Sequence, residues 1–208
     1  MMSVVIPFTP LEKKYFGVGV AEALLTNEVY PLGELPVFDG AGIYAIYYKG
    51  NFHAYQQISR LNSDGRFVFP IYVGKAMSDG ARMGVDLDLA AGKVLHGRLM
   101  EHVESVNAAE NLDLRDFYCQ FLVADDMWIS LGEALIIARF TPIWNSLIDG
   151  FVNHHPRDGR RAGMLSRWDV LHPGRCGEGD LPERSESVAQ IAQDAETYLK
   201  VLPSCLWG

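Results

Sequence analysis

Residues 128–140, WISLGEALIIARF, read as a helix that is apolar on nearly every face and is stopped by Pro142. Leu131, Leu135, Ile136, Ile137 and Phe140 surround Glu133 and leave it no wide polar face. A helix of this composition has to be covered by the rest of the fold. An unpaired carboxylate inside that cover costs several kcal/mol, about the size of a domain's whole stability margin. Glu133 is therefore protonated, paired with a base such as a nearby arginine, set on an exposed strip, or bound to a cation. A single carboxylate with waters suits Mg2+.

The rest of the chain supplies little sheet to cover this helix. Residues 10–26 predict a helix with interior glycines, and residues 30–42 a Pro/Gly loop. Strands are predicted over 43–48, 67–75 and 116–124, with Pro70 placing the second at an edge or bulge. A short helix is expected within 52–61, and a longer one over 94–107, where Leu95, Leu99, Val103 and Val106 repeat at helical spacing. Residues 77–93 form a long insertion that reads as a flap. The segments after Pro142, including WDVLHPGR, read as loop, and a last helix spans about 185–201. The order strand, strand, helix, strand, helix implies an α+β layer with one small sheet.

A chain of 208 residues, 49% apolar and 21% charged, suits one globular domain, 1–208. There is no run of 18 apolar residues, and the N-terminus lacks the features of a signal peptide, so neither a membrane span nor secretion is expected. Three scattered cysteines without CxxC spacing suggest a reducing cytosol and no zinc framework. The net charge of −8 speaks against nucleic acid, yet residues 153–175 hold five arginines and three histidines against two aspartates. That segment is either a solvated loop or a local phosphate-facing surface.

Several residue groups are candidates for chemistry. Alternation puts Tyr44, Ile46 and Tyr48 on one face of their strand, and Tyr72 and Gly74 on one face of theirs. If the two strands pair antiparallel, Tyr44 and Tyr72 stand together, with Gly74 leaving open space beside them. Both phenols would serve equally well as half-buried core residues. In RLMEH, Arg98 and His102 are four residues apart and flank the buried stripe of their helix. Such pairs are common on helix rims, but they could also meet a phosphate and a water. Asn145, after TPIW, is either a turn residue or an amide aimed into a site.

GIY at 42–44, YVG at 72–74, an Arg with a His four residues on, a helical Glu and a following Asn occur here in that order. The set resembles the GIY-YIG nuclease superfamily. GAGIYAIYYKG, PIYVGKA, NLDLRDFYCQF, GEALI, PIWNSLIDGFVNHHPRDGR and WDVLHPGR extend the likeness, from about Gly40 to Arg175, to the type II restriction endonuclease branch. The resemblance implies a small GIY-YIG-type central β-sheet flanked by helices, with a core at about 40–150, an insertion at 77–93, a DNA-contacting basic loop at 151–175, and N- and C-terminal extensions. It further implies that Tyr44, Tyr72, Arg98, His102, Glu133 and Asn145 line an active site that hydrolyses phosphodiesters. Glu133 would hold one Mg2+, replaceable by Mn2+, and Tyr44 leads as the base, with His102 or the metal favouring its phenolate. Lys75 is a supporting candidate, although alternation points it away from Tyr72. Asn153, His154, Arg157, Arg160, Arg161 and Arg175 are candidates for contacts to double-stranded DNA. A homodimer in a prokaryotic cytoplasm, a G+C-rich palindrome with CCGCGG as the candidate, and a companion DNA methyltransferase that is not physically bound complete what the likeness implies. A repair or homing nuclease of the same superfamily, and a non-catalytic DNA-binding protein on the same fold, remain the rival readings.

Overall fold

The structure is a computed structural model and describes residues 13–77, 92–152, 164–175 and 181–201. Its centre is β2 (Gly42–Tyr48), every residue of which is buried. β2 pairs antiparallel with β3 (Tyr72–Ala76) on one side and with β4 (Phe117–Val123) on the other. A two-residue strand, β1 (Tyr30–Pro31), pairs antiparallel with β4 and completes the order β1-β4-β2-β3. The expected α+β architecture with a small central sheet is therefore present. β1 falls in the segment that Pro and Gly mark as loop, because two residues are too few to show alternation.

Helices cover both faces. α1 (Lys13–Thr26) and α4 (Asp126–Phe140) lie on the face that carries Ile43. The approach is close: a Cβ at Gly132 would lie 2.6 Å from Val20 Cγ1 and 3.0 Å from Ile43 Cδ1. Ile129, Gly132, Ile136 and Phe140 form the buried stripe of α4. α3 (Val94–Ala108) covers the opposite face, burying Leu95, Leu99, His102, Val103 and Val106. The leucine and valine spacing anticipates that stripe, and the imidazole lies within it rather than on its rim.

The second strand is shorter than 67–75 because its first residues are bonded elsewhere. Asn62, just after α2 (Gln56–Leu61), is fully buried. Its side-chain oxygen accepts from the Val68 and Phe69 N–H groups (3.0 and 2.9 Å), and its amide donates to Phe69 O (2.8 Å). Pro70 has no N–H to offer a ladder, so pairing begins at Tyr72. β3 is an edge strand, and its outer side is closed by α5 (Ile143–Ser146). The Asn145 amide donates to Val73 O (2.7 Å) and accepts from Val73 N–H (2.8 Å), standing in for a fifth strand.

WDVLHPGR is not all loop: α6 (Arg167–Leu171) starts at Ser166, whose hydroxyl accepts from the Asp169 N–H at 3.2 Å. Ser-x-x-Asp is a helix-start signature within the sequence. α7 (Val188–Lys200) carries a complete capping box between Ser187 and Gln190. Tyr55 shares a 2.8 Å hydrogen bond with His172 Nε2 and accepts from Trp144 Nε1 (2.9 Å). Burial, then the Arg175 charge, pushes the His172 imidazole down to about 3, so this network is neutral.

Arg175 is not on a DNA-facing surface. It is 6% exposed, ion-paired to the buried Asp169, bonded to Gly150 O (3.0 Å), and stacked 4.2 Å from the Trp168 ring centre. Arg167 is partly exposed and is ion-paired to Glu186 and Asp194. Asn153, His154, Arg157, Arg160 and Arg161, with most of the insertion at 77–93, lie outside the described residues. Replacing Arg175 by Met leaves the Asp169 carboxylate buried without its guanidinium and is expected to cost about 3–5 kcal/mol. A denaturation midpoint shifted by less than about 0.5 kcal/mol, as at a surface arginine, would contradict this placement.

Candidate active site

β2 and β3 are in register with Tyr44 opposite Gly74 and Ile46 opposite Tyr72, so both phenols project from one face, towards α3. The space at Gly74 is not vacant. A Cβ there would lie 2.5 Å from the Tyr44 hydroxyl, 2.6 Å from its Cζ and 3.0 Å from Tyr72 Cε1. The missing side chain is the slot through which the Tyr44 phenol crosses β3.

At the end of that slot Tyr44 Oη lies 2.5 Å from His102 Nε2. Arg98 and Tyr72 lie close enough to the Tyr44 phenol to act on its proton electrostatically. The Tyr44, Tyr72 and His102 rings are mutual neighbours, with centroids 6.1, 5.4 and 5.2 Å apart. Phe151 fixes the imidazole plane by stacking on it at 4.4 Å. Tyr44 and His102 are wholly buried, and Tyr72 is 6% exposed. Among the described residues, Tyr72 and Arg98 are the members of this group that keep some exposure.

Burial pushes the Tyr44 phenol well above the usual range. Tyr72 adds to this, and the Arg98 charge and hydrogen bond oppose it. Burial pushes Tyr72 up to about 12, against the pull of Arg98 and with a further push from the Glu133 charge. Burial thus favours the protonated form of both phenols, so a Tyr44 phenolate base would need His102 or a metal to favour it. Burial works against the Arg98 cation, but its Glu101 hydrogen bond, then the phenols and the Glu101 charge, more than offset it. Arg98 Nη1 lies 2.7 Å from Glu101 Oε2, and Nη2 donates to Val152 O at 3.3 Å.

Glu133 approaches from the other face of the sheet, around the β3 edge. Its partner is a lysine rather than an arginine: Lys75 Nζ lies 2.7 Å from Glu133 Oε2 and donates to Ser130 Oγ at 3.2 Å. The Glu133 side chain keeps 19% of its exposure, so the carboxylate lies in a half-shielded notch of α4. Because β3 runs on to Ala76, Lys75 does lie on the face opposite Tyr72, as alternation implies, and that is the face of Glu133. Among the described residues no three His, Cys, Asp or Glu side chains stand together. One carboxylate that already accommodates a cation fits a hard divalent ion that keeps waters and borrows phosphate oxygens, rather than one held in a protein cage.

Asn145 reaches the site only through Val73, the residue between Tyr72 and Gly74, so its amide positions the strand that bears them. Sequence reasoning missed Glu101, Ser130 and Phe151. Glu101 is detectable in principle, three residues after Arg98 on one helix. Phe151 follows a turn, and no local pattern ties it to His102.

A family model described as the Eco29kI GIY-YIG domain matches residues 36–199. No curated protein matches the chain. No helix among the described residues is long and apolar enough to cross a membrane.

Because the Tyr72 pKa is raised above that of the unfolded chain, its contribution to stability is complete below about pH 10 and is lost as pH rises through about 12. Tyr72→Phe is expected to flatten the alkaline loss of stability in that window, as measured by denaturant midpoints against pH. An unchanged alkaline slope would contradict the burial of this phenol.

Proposed function

The chain belongs to the Eco29kI GIY-YIG domain family, which makes it a restriction-type GIY-YIG nuclease, and on that footing we propose a site-specific endonuclease that hydrolyses both strands of duplex DNA. The observation that carries this reading is the Tyr44–His102 hydrogen bond beside Tyr72 and Arg98, with a single carboxylate at the same strand edge. Phosphodiester hydrolysis needs a proton taken from water and negative charge offset at the phosphate. This arrangement offers both.

In the proposed step, water attacks phosphorus and the P–O3′ bond breaks, leaving a 5′-phosphate and a 3′-hydroxyl. The water's proton passes to Tyr44 Oη as the phenol hands its own to His102 Nε2. The proton thus ends on the imidazole, and Tyr44 leaves the step as a neutral phenol. Tyr72, the more exposed phenol, orients the water or a phosphate oxygen. Arg98 turns its planar fork from Glu101 to the phosphate. The departing oxygen takes a proton from solvent. Glu133 would hold one Mg2+, or Mn2+ in its place, and the ion supplies charge offset at the phosphate and the leaving oxygen. Asn145 keeps Tyr72 and Gly74 in place.

Cutting both strands at a palindrome suits a twofold dimer. A G+C-rich site, with CCGCGG as the candidate, and a companion methyltransferase belong to the same proposal. Asn153, His154, Arg157, Arg160 and Arg161 remain the candidates for DNA contact.

Plasmid DNA incubated with the protein and Mg2+ is expected to give discrete fragments. Nicks confined to lesions, or a gel shift without cutting, would contradict the reading. Tyr44→Phe and His102→Ala are each expected to slow cleavage about 10²- to 10⁴-fold. The double variant should be no slower than either single one, because the two groups act as a unit. A His102→Ala protein that cuts at the wild-type rate while Tyr44→Phe does not would overturn the relay.

A further inference from the structure

We propose that Lys75 is a resident counter-cation for Glu133: its ammonium occupies the carboxylate when no metal is bound, and a divalent ion enters only by displacing it. The inference rests on the reading of Glu133 as the metal ligand and adds a residue that sets how readily that ligand is available.

The pair is built in rather than incidental. Lys75 Nζ is 2.7 Å from Glu133 Oε2, and the Ser130 hydroxyl holds the same ammonium at 3.2 Å. Glu133 and Ser130 are three residues apart on α4, so both project from one side of that helix towards Lys75. The root of the lysine is fixed as well. Lys75 lies within β3, opposite Ile43 of the central strand, and Asn145 clamps the same strand at Val73. Glu133 therefore has a cation beside it in the metal-free protein, which answers the cost of placing a carboxylate in so apolar a helix.

An ammonium and a divalent ion cannot share this carboxylate at contact distance without strong repulsion, so each excludes the other. The exclusion is weak enough to reverse. The two side chains keep 35% and 19% of their exposure, so water reaches the pair and can take over its bonds as it parts. The lysine flexes on a four-carbon stem and can follow another anion once released. Removing its charge, with the stem kept, should leave Glu133 freer for metal.

The test is a Mn2+ titration of the full chain without DNA, followed by paramagnetic broadening of the Ser130, Gly132 and Ala134 amide resonances. In the wild type the broadening is expected to centre on these amides. Lys75→Met is expected to lower the Mn2+ midpoint about three- to tenfold. Lys75→Arg should keep it within about twofold of wild type, since the charge remains. If Lys75→Met does not fold, Lys75→Gln makes the same test. A midpoint that is unchanged or higher in the uncharged variant overturns the role of Lys75 and leaves the metal site standing. Wild-type protein without broadening at these amides, or Glu133→Gln that broadens like wild type, overturns the metal site itself.

Discussion

The Tyr44 hydroxyl reaches His102 Nε2 at 2.5 Å because position 74 carries no side chain and β2 and β3 are paired in one particular register. A slip of one residue would turn every side chain of β3 over, sending Tyr72 to the α4 face and Lys75 to the α3 face. The register is held from both sides: Asn145 closes the outer edge of β3 at Val73, and Asn62 takes up the backbone of the residues before the strand. The placement of Tyr44 thus depends on hydrogen bonds made by two side-chain amides to the backbone of β3 and of the residues before it, and these help decide which face the phenols occupy.

The charges follow a similar economy. The chain carries a net −8, yet each described cation beside the tyrosines already has a carboxylate: Arg98 with Glu101, Lys75 with Glu133. A free cation at the mouth of the site would bind any anion. In the proposed function a paired one would be released only to a partner that offers more, such as a phosphate in the fork of Arg98 or a divalent ion on Glu133. Tyr44 and His102, both wholly buried, lie behind these exposed pairs.

Much of this was legible in the sequence, and the reasons are specific. The apolar stripe of α3 and the short apolar, aromatic run of β2 are strong local patterns, and both predict the observed elements to within a residue or two. The order of the tyrosines, Arg98, His102, Glu133 and Asn145 identified the family that the match over residues 36–199 shows. Contacts between distant segments were not legible. Nothing local says that Asn62 would hold the backbone before β3, that Phe151 would stack on His102, or that Arg175 would be buried against Asp169 and Trp168. A cluster of arginines reads as a basic surface until burial is known. The partner of Glu133 illustrates both sides: the need for a cation followed from helix composition, but its identity as Lys75 depended on α4 crossing the sheet edge at β3.

The most direct measurement is a crystal structure of the protein with Mn2+ and a duplex carrying the mapped cutting site, with the metal located by anomalous scattering. The ion is expected on Glu133, the scissile phosphate between it and the two phenols, and the Tyr44 hydroxyl still bonded to His102. A phosphate bound away from the β3 edge, or an ion held by other residues with Glu133 still on Lys75, would contradict that arrangement.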